Sequence, residues 1–116
     1  MNTIISEYFN AFKNKNITTI DNILSQDVIL QDPVVGQLTK RQEVIKAYKD
    51  IFENCHQIQF ETKRSYQMNE NSFAIEFSFK FVDNSGAHHK VDGVDLIDIS
   101  DVKITSIRAY LDTNTN

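Results

Sequence analysis

Three side chains in this sequence combine the types and settings that proton-transfer chemistry needs. Asp95 stands in the middle of an extended segment where Val91, Gly93, Ile97 and Ile99 alternate onto its own face. A carboxyl on an otherwise apolar face is costly if it is ionised and unpaired. It must be hydrogen-bonded, neutral, or lining a cavity. Burial raises a carboxyl's pKa, and a neutral carboxylic acid can donate a hydrogen bond. A partly exposed face, or a basic partner such as Arg108, is the equal alternative. Asp32 shares a face with Val28 and Leu30, and Pro33 holds its backbone extended. A carboxylate fixed at a strand end beside apolar surface can act as a general base. Taken alone, Asp-Pro favours a turn opener. Tyr8 lies on the apolar side of the first helix. A phenol aimed into a cavity stabilises an oxyanion, although core packing is the commoner role for such a tyrosine.

Other chemistries lack their residues. His88 and His89 are adjacent on a strand and so point to opposite faces. No cysteine or carboxylate pattern completes a metal site around them. His56 falls near the end of the third helix, where a cation complements the dipole. Cys55 is the single cysteine, with the character of a buried small residue. There is no glycine-rich phosphate loop, nucleophile elbow or dinucleotide fingerprint. We expect neither a metal nor an organic cofactor.

The elements that must position these residues follow from periodicity. Ile4, Ile5, Tyr8, Phe9 and Phe12 make one apolar face of a helix from about Thr3 to Lys13. A second short helix is expected behind a cap at Thr18 or Thr19, with Ile20, Ile23 and Leu24 on its buried side. Val28 to Leu30 reads as a short strand ending at Asp32, followed by a loop from Val34 to Leu38. Thr39 with Gln42 three residues on is a capping-box signature. It opens a third helix carrying Val44, Ile45, Tyr48, Ile51 and Phe52. From Gln57 the period changes to two. Ile58, Phe60 and Thr62 alternate with polar residues, and so do Tyr66 and Met68. Phe73, Ile75, Phe77, Phe79 and Phe81 share one face of the next strand. Long strands are expected over Ala87 to Ile99 and Lys103 to Asp112, with turns at 69–71 and 83–86. Residues 113–116 read as a frayed polar end.

Segregated helices followed by four antiparallel strands in a meander give an α+β architecture, with helices covering one face of a bent sheet. The length of 116 residues fits one domain over the whole chain, 1–116. A net charge of -4 disfavours nucleic acid as a partner, since phosphate binding needs a basic surface. Met1 to Phe12 lacks a continuous apolar run, so neither a signal nor a membrane segment is expected. One cysteine allows no intrachain disulfide and, with no secretory signal, suggests a reducing cytoplasm. Val94, Leu96, Ile107 and Leu111 are expected on the second sheet face. Such a mixed face suits a homodimer, and light scattering that found a clean monomer at micromolar concentration would remove that idea.

Taken together, Tyr8, Asp32-Pro33-Val34 and Asp95 resemble the catalytic set of bacterial ketosteroid isomerase (steroid Δ-isomerase). The likeness extends over nearly the whole chain. Tyr8, Ala11, Ile20, Leu24 and Asp27 match that family's first two helices. Val28 to Gly36 matches its strand and acidic turn, and Val94-Asp95 followed by Lys103 to Ala109 its last two strands. The scaffold is shared by the wider SnoaL-like and nuclear transport factor 2-like superfamily, and Arg108 to Asp112 resembles an ending common there. The resemblance implies a cone, with three N-terminal helices packed on a strongly curved, mainly antiparallel sheet. It implies that Asp32 moves a proton next to a ketone, while Tyr8 and a protonated Asp95 donate hydrogen bonds to the dienolate oxygen. The neutral state of that acid comes with the resemblance alone. Phe12, Tyr48, Phe52, Phe60, Phe77 and Phe79 would wall an apolar pocket for a small hydrophobic ketone or similar ligand. Gly93 departs from the bulkier residue often found there, and the loop from Val35 to Lys40 is reworked. A SnoaL-like cyclase or lyase and a non-catalytic ligand-binding module are the other functions this scaffold allows.

Overall fold

The computed structural model describes residues 2–112; the expected frayed end at 113–116 lies outside them. Helix α1 spans Thr3–Lys13, and the Asn2 side chain caps it by accepting from the Ile4 amide at 2.8 Å. Lys15 takes the left-handed backbone at φ 55° and reverses the chain. Its ammonium donates to the carbonyls of Cys55 and His56, so Lys15 supplies the cation at the end of the third helix.

Helix α2 covers Ile17–Ile23. Its cap is Asn16, whose side chain accepts from the Thr19 amide at 3.1 Å; Thr18 and Thr19 lie inside the helix. Asparagine is the stronger cap and already stands at the turn. Leu24 belongs to strand β1, Leu24–Asp32, because parallel pairing with Ile104 on the last strand claims it. Strand β2 is Gly36–Leu38, and helix α3 is Arg41–Asn54. The Thr39 capping box does not form: Lys40 holds the cap position without a side-chain hydrogen bond. The helix start is fixed instead by Arg41. Its guanidinium donates to the Leu24 and Ser25 carbonyls at 2.8 and 2.7 Å and pairs with Asp21 at 2.6 Å. That fork ties α3 to the start of β1.

The remaining chain is β3 Cys55–Asn69, β4 Ser72–Asp83, β5 His88–Ser100 and β6 Lys103–Asp112. The sheet order is β2-β1-β6-β5-β4-β3, parallel only between β1 and β6. The three helices and this curved sheet form an α+β fold. Bulges place the faces. In β6, Ile104 pairs with Ile99 and Ser106 with Asp98, so Thr105 is an extra residue. Ile104 and Ile107 therefore both turn into the core. Pairing of Gly93 with Leu111 and of Ile97 with Ile107 puts Leu111 and Ile107 on the face of Asp95. This corrects the expectation that both occupy the second face; Val94 and Leu96 do lie there, opposite Tyr110 and Arg108. In β3, a bulge between Thr62 and Arg64 turns Tyr66 and Met68 outward, where both are exposed.

Candidate active site

The cavity lies between the helices and the sheet, and α1, β1, α3 and β5 each deliver one of its four polar side chains. Helix periodicity points Tyr8 inward from α1 with Ile5, Phe9 and Phe12. Tyr48 points inward from α3 beside Val44, and the two phenol oxygens are 2.7 Å apart. Burial pushes both tyrosines above the ordinary phenol range. Both are neutral, and one of them donates to the other.

Asp32 arrives from the end of β1. Its Oδ1 accepts the Val34 amide at 2.7 Å and the Val35 amide at 2.8 Å. This is an Asx turn, so the turn-opening and cavity-lining roles coincide in one residue. Both backbone donors fall on Oδ1, which leaves Oδ2 for the cavity.

Asp95 comes from the middle of β5, between Ile75 of β4 and Ala109 of β6 in register. It is 5% exposed, and no hydrogen bond reaches its carboxyl among the described residues. Burial first, then the charge on Asp32, push that carboxyl up to about 7. Arg108 is not its partner, since it pairs with Leu96 on the opposite face.

These four residues line one cavity of about 260 Å³ with Phe12, Phe60, Phe77 and Phe79. Its size falls just below the roughly 300–1,000 Å³ of drug-sized sites, which favours a compact ligand. The Phe60 and Phe77 rings stack at 4.9 Å, and those of Phe79 and Phe81 at 4.8 Å. Phe52 is not in the wall. It sits one helical turn beyond Tyr48 and packs edge-on behind Phe12 at 5.5 Å. Ile51 lines the cavity in its place. Leu30, Phe81, Val91, Ile107, Ala109 and Leu111 also line it. The first three lie on faces legible from alternation, whereas Ile107 and Leu111 need the register. Val34 and Val35 form the rim, with Val34 83% exposed; they belong to the acidic turn after Asp32.

Among the described residues, no Lys, Arg or His lines the cavity. Nor, among them, is any group of three or more His, Cys, Asp or Glu arranged to hold a metal ion. A roomier groove of about 390 Å³ runs past Gln57, Gln59, Lys80 and Lys90, but no acid lines it among the described residues. His89 bonds to Asp83 at 2.8 Å and stacks on Phe81, which makes it part of the β4–β5 hairpin. Cys55 is a buried free cysteine whose thiol burial pushes up, which disfavours the thiolate. No helix of the described residues is long and apolar enough to cross a membrane.

The family model of the SnoaL-like domain matches residues 5–107. The chain belongs to the SnoaL-like domain family. No curated protein matches it by sequence. Solved structures share its fold at low identity. The Δ5-3-ketosteroid isomerase from Mycobacterium sp. superposes with TM-score 0.81 at 13% identity, covering 96% of this chain and 92% of that one. SalBIII, an epoxide hydrolase/cyclase-like enzyme of pyran ring formation in salinomycin, gives 0.84 at 17% identity over 95% and 88%. An M. tuberculosis LEH-like epoxide hydrolase gives 0.81 at 14% identity over 94% and 80%. The same fold thus occurs in an isomerase and in two proteins of the epoxide hydrolase kind at similar structural distance from this chain.

Proposed function

We propose that this SnoaL-like protein is a cofactor-independent acid–base enzyme. On this proposal it moves a double bond next to a ketone by intramolecular proton transfer on a compact apolar substrate. The observation that carries this is the pairing of an acid held up at about 7, Asp95, with a second carboxyl, Asp32, on one largely apolar cavity. Environments that treat two carboxyls differently assign one as acid and one as base.

Asp32 Oδ2 takes the proton from the carbon between the ketone and the alkene. The C–H electrons move into the conjugated system and the charge collects on the carbonyl oxygen as a dienolate. Tyr8, its hydroxyl accepting from Tyr48 and so keeping its own proton to give, and protonated Asp95 donate hydrogen bonds to that oxygen. Asp32 then returns the same proton at the far alkene carbon. Donors already fixed by the fold need little reorganisation as the charge appears.

General acid–base opening of an epoxide is a second reading, favoured by the same acid–base pair. There Asp32 would activate a water or hydroxyl nucleophile while Asp95 gives its proton to the epoxide oxygen. The two differ at Asp95. An isomerase needs only a hydrogen bond from it, so Asp95→Asn keeps part of the turnover. Epoxide opening needs the proton itself, and Asp95→Asn abolishes it.

The direct test is conversion of cyclohex-3-enone and of a β,γ-unsaturated 3-ketosteroid to their conjugated isomers, followed by ultraviolet absorbance. Turnover by the native protein that is lost in folded Asp32→Asn is the expected result. No conversion of either above buffer, by protein shown to be folded, would sink the isomerase.

A further inference from the structure

We infer that the same cavity binds compact lipophilic ammonium ions, with the ligand's N–H groups between Asp32 and Asp95 and its hydrocarbon against the phenylalanine wall. The inference stands on the cavity and not on turnover, so it goes beyond the proposed reaction.

It comes from matching donors to acceptors. Tyr8 and Tyr48 spend one hydroxyl proton on each other and leave a single O–H for a ligand. Asp32 Oδ1 is already filled by two amides, while Oδ2 is open. Asp95 is 5% exposed as a residue, lines the cavity, and has neither carboxyl oxygen hydrogen-bonded among the described residues. No basic side chain among them lines the cavity. With both carboxyls ionised, the site holds a surplus of acceptors and of negative charge. A buried charge without a partner is costly, so a ligand that brings both donors and a positive charge is the complement.

Two ligand classes resolve that surplus, and one does not. A neutral carbonyl suits the state in which Asp95 carries its proton. An ammonium ion suits the state in which it does not. A carboxylate or phosphate meets two like charges and no cation. A bare metal ion lacks its ligands among the described residues and would face aromatic walls in place of oxygens. Phe60, Phe77, Phe79 and Phe81 instead ask for hydrocarbon around the charged nitrogen.

The groups that face Asp95 set the pH response. Asp32 of β1, Tyr8 of α1 and Tyr48 of α3 are the ionisable ones, and the flanking Ile75 and Ala109 bring no charge. The tyrosines stay neutral. Ammonium binding therefore strengthens as pH rises through about 7, where Asp95 gives up its proton. Binding of a neutral acceptor weakens over the same range.

Three probes with one hydrocarbon test this: cyclohexylamine, cyclohexanol and cyclohexanecarboxylate, titrated calorimetrically into the intact protein at pH 6 and pH 8. The amine is protonated at both, its pKa being close to the roughly 10.4 of a lysine. At pH 8 the ammonium should bind at least about tenfold tighter than the alcohol, and the carboxylate weakest. The ammonium should lose most of that margin at pH 6. In Asp95→Asn, its preference over the alcohol should largely vanish, with folding checked by the amide NMR spectrum. Equal affinity for ammonium and alcohol in the native protein, tighter binding of the carboxylate, or no ammonium binding at all would overturn the proposal without need of the variant. So would an undiminished ammonium preference in folded Asp95→Asn. Ketone isomerisation with no ammonium preference would sink this inference alone, and the reverse result would sink only the reaction.

Discussion

The hydroxyls of Tyr8 and Tyr48 lie 2.7 Å apart and bridge α1 to α3 at the wall of the cavity. Tyr8 can hand its own proton to a ligand only if Tyr48 is the donor within the pair. Tyr48→Phe should therefore do two things. It removes one buried hydrogen bond, a loss of about 1 kcal/mol in urea unfolding. It also lets the Tyr8 hydroxyl swing, which should lower kcat by about tenfold. Tyr8→Phe removes the donor itself, and about 10²–10³ in kcat is the expected loss. A larger kcat effect for Tyr48→Phe than for Tyr8→Phe would mean that the two roles are reversed.

Asp32 separates its two oxygens between structure and chemistry. Asparagine keeps an acceptor for the Val34 and Val35 amides but cannot take a proton. Asp32→Asn should therefore hold the native stability to within about 0.5 kcal/mol while abolishing turnover. Asp32→Ala loses the turn as well, and should cost about 1–2 kcal/mol more in denaturant unfolding. If the asparagine variant is as destabilised as the alanine one, the carboxylate charge is what holds the turn.

Asp95 makes stability depend on pH in an unusual direction. Its carboxyl titrates near 7 in the folded protein, against about 3.8 as a free side chain. Between those values the folded state holds a proton that the unfolded chain has released. Stability from this group is thus fully present below about pH 4, falls as pH rises, and is lost by pH 7 and above. The total is a few kcal/mol on the scale of 1.36 kcal/mol for each pKa unit. The difference between native and Asp95→Asn unfolding free energies, followed from pH 4 to pH 8, isolates it. A flat difference curve would mean that Asp95 is ionised throughout.

Much of this site is legible in the amino-acid sequence. An acid on the apolar alternation of Val91 to Ile99 has to meet a cavity, a partner or solvent, and it meets the cavity. Tyr8 follows from helix period, and Phe60, Phe77 and Phe79 from strand period. What periodicity does not reveal is set by pairing. The bulge at Thr105 and the Gly93–Leu111 register decide the face of Ile107 and Leu111, and neither has a local signature. Phe52 and Ile51 differ by one helix position, so only packing chooses between them. The Thr39 capping box is a true local preference overridden by the Arg41 fork onto Leu24, Ser25 and Asp21. Asn16 takes the α2 cap for a local reason that the threonines after it obscure.

Gly93 stands two residues before Asp95, on the same face of β5, where there is no room for a side chain. A Cβ there would stand 2.6 Å from the Tyr110 carbonyl oxygen and 2.9 Å from both Leu111 Cδ2 and Phe77 Cζ. Two of those neighbours are side chains of the cavity wall and can give way, but the carbonyl belongs to the β5–β6 ladder and cannot move without breaking pairing. Gly93→Ala should therefore lower stability by about 1–3 kcal/mol, the usual cost of overpacking. Any relief must come from Phe77 and Leu111 moving toward the ligand, so the cavity should shrink and disfavour larger ligands more than small ones. Unfolding in urea reads the first effect. Relative kcat/KM for the steroid and cyclohexenone substrates reads the second, with selectivity moving toward cyclohexenone. An alanine variant of native stability and unchanged selectivity would show that the strand relaxes around the extra carbon, and that Gly93 does not set the size of the site.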